Sequence, residues 1–255
     1  MAYITHEIRD GAAVITLNDP TKRNAINLAM NAEIAELLDT VEAEPSVSSI
    51  VVTGAPPAFC AGADLEDLLN SRHKEGLQEI YRGFLRIAHS PLPTIAAVNG
   101  PAIGAGMNYA LACDIILAAR SARFDCRFLQ IGIHPGGGHT WRLREKVGDQ
   151  AAKAMMLFGE VMSAEDAERI GLVWRCVDDA DLMPTALAMT ARCASFPKKL
   201  VTTTKATMTS MAAVTNSVDA VTTELTPQAN SMGTPEFVQR VQAMIDKISG
   251  GTASP

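Results

Sequence analysis

No stretch of this chain is apolar for the length of a bilayer crossing, and its first residues lack the basic-then-apolar order of an export signal. Lysine and arginine form no cluster or stripe, and the formal net charge over 255 residues is -6, which argues against a nucleic-acid partner. The five cysteines, Cys60, Cys113, Cys126, Cys176 and Cys193, are odd in number, scattered, and never spaced as C-x-x-C. That pattern argues against a zinc site or a disulfide framework and for reduced thiols, so a cytoplasmic protein with no metal and no membrane partner is the expectation. The chain has no exact internal repeat, no nucleophile elbow, and no Gly-Lys-Ser/Thr after a glycine turn.

What is present centres on Pro93 to Asp114, PTIAAVNGPAIGAGMNYALACD. Thr94 to Val98 reads as a buried strand. Gly100, Gly104 and Gly106 crowd a turn, and an Ala- and Leu-rich helix follows. A strand entering a helix through small residues leaves backbone N–H donors at the helix start with no side chain in the way. Such donors suit an anion, or an oxygen that becomes negative during reaction. A dinucleotide loop is the rival reading, but Tyr109 stands where its third glycine belongs. Close packing of helix on strand is the plain alternative.

A second stretch, Pro57 to Leu65 (PAFCAGADL), follows another β-type run, Ile50 to Thr53, and is again a strand feeding a small-residue loop. AFCAGADL and AAVNGPAIGAG, with KRNAIN at Lys22 to Asn27, IGIHPGGGHTWRL from Ile131 and SAEDAERIGLV from Ser163, closely resemble the enoyl-CoA hydratase/isomerase (crotonase) superfamily over nearly the whole chain. The resemblance implies an α/β fold, a spiral of ββα units, with C-terminal helices used in trimerisation, often as a dimer of trimers. It implies a pair of backbone N–H groups, Ala63 and Ala105, holding the thioester oxygen of an acyl-CoA. It further implies that Lys22, Arg23, Ala25, Ala61, Asp64, Leu65 and Gly104 contact that ligand, with coenzyme A part of the substrate and no separate cofactor. Lys22 and Arg23 are candidate phosphate partners, or ordinary surface.

Around these motifs, Tyr3 to Ile8 and Ala12 to Leu17 form a hairpin about Asp10-Gly11. Asn27 is a helix cap before Ile34, Leu37, Leu38 and Val41, which recur at amphipathic helical spacing. Leu77, Ile80, Tyr81, Phe84 and Ile87 do likewise and read as core or acyl-pocket wall, while His73 and His89 flank them as solvated or capping residues. Ile115 to Ala119 reads as a strand, Phe124 starts another, and a helix carries Trp141, Leu143 and Val147. Ser163-Ala-Glu-Asp resembles a capping box. From Pro197 the pattern is helical without strands, so residues 1–196 are expected as the α/β core and 197–255 as a helical oligomerisation region.

The most informative absence is chemical. Hydratases of the superfamily add water with two glutamates, and their positions here hold Asn108 and Phe128. An amide cannot take a proton near neutral pH, and phenylalanine offers no polar group at all. Asp125, His134, His139, Glu145 and Asp64 are the ionisable neighbours. His134, beside Pro135 and a glycine run, is the sharpest catalytic substitute, against the plain reading of a loop histidine bonded to backbone. His139 at a helix start ranks below it, and Asp64 reads as a helix cap. The functional expectation is an acyl-CoA-processing enzyme of lyase or isomerase type, with a non-catalytic acyl-CoA-binding protein as the alternative.

Overall fold

Asp10 and Gly11 both take positive φ, 49° and 79°, the pair of left-handed residues that a tight two-residue hairpin needs. They join β1 (Ile4–Arg9) antiparallel to β2 (Ala12–Leu17) in the computed structural model, which describes residues 2–250. Two units are present, one ending at Ala194 and the other beginning at Ser195.

In the first unit, α1 (Leu28–Ala43) is capped by Asn27, whose side chain accepts from Met30 N–H at 2.8 Å. Next come β3 (Ser49–Gly54), α2 (Leu65–Asn70), α3 (Lys74–Ala88), β4 (Thr94–Val98), β5 (Pro101–Ile103) and α4 (Ala105–Ala112). They are followed by β6 (Ile115–Ala119), β7 (Arg123–Asp125), α5 (His139–Leu157), β8 (Met162–Ser163), α6 (Ala164–Arg169), β9 (Arg175–Val177) and α7 (Leu182–Ala194). The larger sheet has the order β1-β2-β3-β4-β6-β9, parallel from β2 onward, and the smaller has the order β5-β7-β8. Each turn of the chain therefore lays a strand in the large sheet, then a short strand or bridge in the small one, then a helix: β4, β5, α4 is one such ββα unit, and β6, β7, α5 the next.

The uninterrupted apolar runs of β3 and β4 have a simple cause. All of their residues are buried, because both faces of the sheet are covered. Ile50, Val52, Ala96 and Val98 face Ile34 and Leu38 of α1 and Phe84 and Ile87 of α3. Val51, Ile95 and Ala97 face Leu182 and Ala186 of α7. Full burial of each Val, Leu, Ile or Phe is worth about 1.5–3 kcal/mol against the cost of ordering the chain.

His73 caps α3, its Nδ1 accepting from Gly76 N–H, and His89 occupies the residue after that helix. Ser163 caps α6 by accepting from Asp166 N–H at 3.1 Å, while its hydroxyl donates to the Asp166 carboxylate at 2.6 Å. The segment carrying Trp141 is one helix only up to Val147, since Gly148 (φ 76°, ψ 174°) breaks it before a second. In the second unit, α8 (Lys198–Met211), α9 (Ser217–Met232) and α10 (Pro235–Gly250) follow one another without strands. No residue of α8 or α9 is buried, and Met208, Val218, Val221, Leu225, Met244 and Ile248 are exposed.

Candidate active site

Three loops are stitched together by their own backbones. Asn24, fully buried with φ 58°, donates its side-chain amide to Ala55 O at 2.7 Å and Ala58 O at 2.8 Å, which pins the KRNAIN loop to the segment after β3. Ala61 N–H then donates to Arg23 O, Ile26 N–H to Gly62 O, and Asp64 N–H to Ile26 O. On the other side, Cys60 N–H donates to Pro101 O at 3.1 Å and Ile103 N–H to Cys60 O at 3.0 Å. Gly106 allows the closest approach: a Cβ there would lie 2.2 Å from Cys60 O. Gly104, at φ 52° and ψ -112°, makes the bend into α4 that only glycine adopts without strain.

The stitched loops form one wall of a cavity of about 950 Å³. Lys22, Ala25, Ala61, Ala63, Asp64, Leu65, Gly104, Ala105, Asn108, Phe128 and His134 all line it, whereas Arg23, Asp125, His139 and Glu145 of the residues singled out in the sequence do not. Arg23 instead closes a short turn in the left-handed region, and its carbonyl receives Ala61 N–H. Leu77, Ile80, Tyr81 and Phe84 of α3 form the apolar wall, and Ile87 lies in the core. Gly136 and Gly137 make room for them, since a Cβ on Gly136 would meet the Tyr81 hydroxyl at 2.1 Å and one on Gly137 the Phe84 ring at 2.3 Å.

Lys22 is not a free cation. Its ammonium donates to Asp64 at 2.7 Å, and Asp64 also accepts from Glu66 and Asp67 N–H as the cap of α2. The bond from Lys22 and these cap bonds hold the Asp64 carboxyl below the usual carboxylate range, and Asp64 in turn raises Lys22. Arg72 and Arg127, not singled out in the sequence, also line the cavity. Arg127 pairs with buried Asp125 at 2.5 Å, whereas Arg72 makes no ion pair among the described residues.

His134 lines the cavity with an exposed ring whose Nδ1 lies 2.7 Å from Pro135 O, the backbone bond of the plain reading. Asn108 keeps different company. Its Oδ1 lies 2.7 Å from Nδ1 of His139, and its Nδ2 donates to Gly136 O at 3.3 Å. His139 is fully buried, with Nε2 3.4 Å from Cys126 Sγ and the Phe128 ring edge-on at 4.8 Å between centroids. Burial, with some help from the charge of Arg142, pulls His139 down to about 4, and burial pushes the Cys126 thiol up to about 12. At neutral pH the group behind Asn108 is therefore uncharged throughout. Glu145 lies exposed beside Arg144, outside the cavity lining. No group of His, Cys, Asp and Glu among the described residues could hold a metal ion, and no helix there is long and apolar enough to cross a membrane.

The sequence model of the enoyl-CoA hydratase/isomerase family matches residues 7–247. This chain belongs to that family. A protein described as a probable enoyl-CoA hydratase in Mycobacterium tuberculosis is 44% identical over 240 residues, 91% of this chain and 93% of that protein. A 1,2-epoxyphenylacetyl-CoA isomerase of Escherichia coli is 36% identical over 208 residues, 77% of this chain and 78% of its own. Among solved structures, an enoyl-CoA hydratase from Bacillus anthracis superposes with a TM-score of 0.90 at 28% identity, covering 96% of each chain. The two sheets and ββα succession are thus the crotonase fold, and the hydratase/isomerase family processes acyl-CoA thioesters.

Proposed function

We propose that the cavity binds an acyl-CoA thioester by its oxygen through Ala63 N–H and Ala105 N–H, and that the reaction is a lyase or isomerase step other than fast hydration. The observation that carries this is that Ala63, Ala105, Asn108 and Phe128 line the same cavity, backbone donors without the two acid–base carboxylates. Among the described residues, neither alanine N–H takes part in a turn, loop or cap hydrogen bond, and Ala105 is the first residue of α4, where N–H groups lack helical partners.

Charge that gathers on the thioester oxygen as C2 is rearranged falls on these donors, each worth about 3–4 kcal/mol of transition-state stabilisation. Hydration also needs protons moved to and from one water. Asn108 and Phe128 supply no group for that at neutral pH. The apolar wall of Leu77, Ile80, Tyr81, Phe84 and Phe128 suits an aliphatic or aromatic acyl group, and the relative named as an isomerase of an aromatic acyl-CoA supports rearrangement. Of the cations lining the cavity, Lys22 is bonded to Asp64 and Arg127 to Asp125. That leaves Arg72, the one without an ion pair among the described residues, to meet the phosphates of coenzyme A, which arrives with the substrate. The uncharged surroundings of Asn108 favour one alternative, an acyl-CoA-binding protein without turnover.

A panel of acyl-CoA thioesters followed by mass spectrometry for binding and turnover, with crotonyl-CoA hydration measured alongside, tests the reading. The expected result is thioester binding with a product other than the hydrated acyl-CoA, and hydration below a two-glutamate hydratase by on the order of 10,000-fold. Restoring one carboxylate, as Asn108→Glu or Phe128→Glu, recovers little, because the two act together on one water. Fast hydration would overturn the reaction assigned here. A bound ligand inert over long incubation would leave the binding-protein alternative, and failure of every thioester to bind would overturn the acyl-CoA reading itself.

A further inference from the structure

The hydrogen-bond network behind the cavity fixes more than the absence of a base. Gly136 O can only accept, so the end of the Asn108 amide that faces it at 3.3 Å must be the NH₂ group. Oδ1 is then the atom facing His139, and Nδ1 of that histidine, 2.7 Å away, must carry the proton. Nε2 is left as an acceptor and lies 3.4 Å from Cys126 Sγ, whose S–H is a donor. The chain of donors runs one way, from the Cys126 thiol through His139 and Asn108 to Gly136 O. His139 does not itself line the cavity, while Asn108, only 2% exposed, Gly136 and Cys126 do. One Nδ2 hydrogen goes to Gly136 O and the other has no protein acceptor among the described contacts.

From this we infer, resting on the acyl-CoA reading above, that His139 is a positioning residue: it locks Asn108 with an N–H toward the acyl group, so the site selects thioesters bearing an acceptor oxygen on the acyl chain near the thioester. Without His139 the amide would be held only by the long 3.3 Å bond to Gly136 O, against 2.7 Å to His139, and could turn its carbonyl toward a ligand. His139, fully buried against Phe128 and bonded at both ring nitrogens, removes that freedom.

Isothermal titration of 3-oxobutyryl-CoA and of butyryl-CoA, which has the same chain length without the acceptor, tests the inference on the full-length protein. The unaltered protein should prefer the 3-oxo thioester by roughly 3- to 10-fold, one neutral hydrogen bond. His139→Leu should abolish the preference while leaving butyryl-CoA affinity within about 2-fold, and His139→Asn, which can present an N–H near the Nδ1 position, should restore it. A merely structural histidine would weaken both thioesters together and would not be rescued. If the leucine variant does not fold, ¹⁵N-histidine NMR of the unaltered protein decides: the buried, non-titrating ring must be the neutral Nδ1–H tautomer. An Nε2–H tautomer, or equal affinity for the two thioesters, overturns the inference while leaving acyl-CoA binding intact. Failure of both to bind overturns the acyl-CoA reading and this inference with it.

Discussion

At the scale of single residues, the network behind Asn108 is built of neutral groups. His139 carries a measurable consequence. Its ring titrates at about 4 in the fold against about 6.5 in the unfolded chain, so between those values the unfolded state binds more protons. The contribution of this burial is therefore complete above about pH 6.5 and is lost as pH falls toward 4, by on the order of 3 kcal/mol. Arg142 on the same helix acts in the same direction, and the Cys126 thiol facing the ring stays protonated over the range. Urea unfolding at pH 7.5 and 4.5 should show that loss in the unaltered protein and a clearly smaller one in His139→Asn. Equal losses in the two would show that another group carries the acid sensitivity. The sequence ranked His134 above His139 because glycines flank it and helix starts are ordinary places for histidine. Neither consideration sees that α4 and α5 bring residues 108 and 139 within hydrogen-bond distance.

At the scale of elements, two short helices and their entrances shape the cavity. Asp64 is both the cap of α2 and the partner of Lys22, and the magnitudes separate the roles. Losing a cap costs about 1 kcal/mol, whereas an ion pair to a lysine side chain that is 54% exposed is screened by solvent and counts for less than the cap. Asp64→Ala should thus lower stability to urea by about 1 kcal/mol, and Asp64→Asn, which still caps, by less than half of that. Similar losses for the two would make the ion pair dominant. Gly106 in α4 shows the opposite balance of propensity and packing. Alanine is favoured over glycine in a helix by about 1 kcal/mol. Here its Cβ would stand 2.2 Å from the backbone oxygen of Cys60, where relief means moving the loop that carries Ala63. Gly106→Ala should destabilise the fold by about 1–3 kcal/mol and weaken acyl-CoA affinity together. A stabilised variant would mean the two loops are not held at this distance.

For the whole molecule, the outstanding feature is apolar surface. In α8 and α9 no side chain is buried, and across α8 to α10 Met208, Val218, Leu225, Val238, Met244 and Ile248 lie exposed. Trp141, Phe158 and Trp174 of the first unit are exposed as well. Surface of this kind marks interaction sites. Residues 197–255, of which 251–255 lie outside the described residues, are proposed as an oligomerisation region, and sedimentation velocity at micromolar concentration should report a homotrimer or a dimer of trimers. A stable monomer would sink that proposal.

Much of this protein was determined by its sequence alone, wherever local chemistry suffices. Short β-type apolar runs marked β2, β4 and β6 with their observed bounds, because buried strands need near-unbroken hydrophobicity. Asp10-Gly11, Asn27 and Ser163 announced their turn and caps, since each acts on backbone within a few residues of itself. The ordered motifs named the family, and counting along them found Asn108 and Phe128 in place of carboxylates. Only the tertiary structure decided which side chains meet. The Lys22–Asp64 bond joins residues 42 apart in the chain, and that between Asn108 and His139 joins residues 31 apart. Pairings at such separation depend on how β3, β4 and β6 stack in register and how closely glycine lets α4 approach Cys60. No local pattern encodes them.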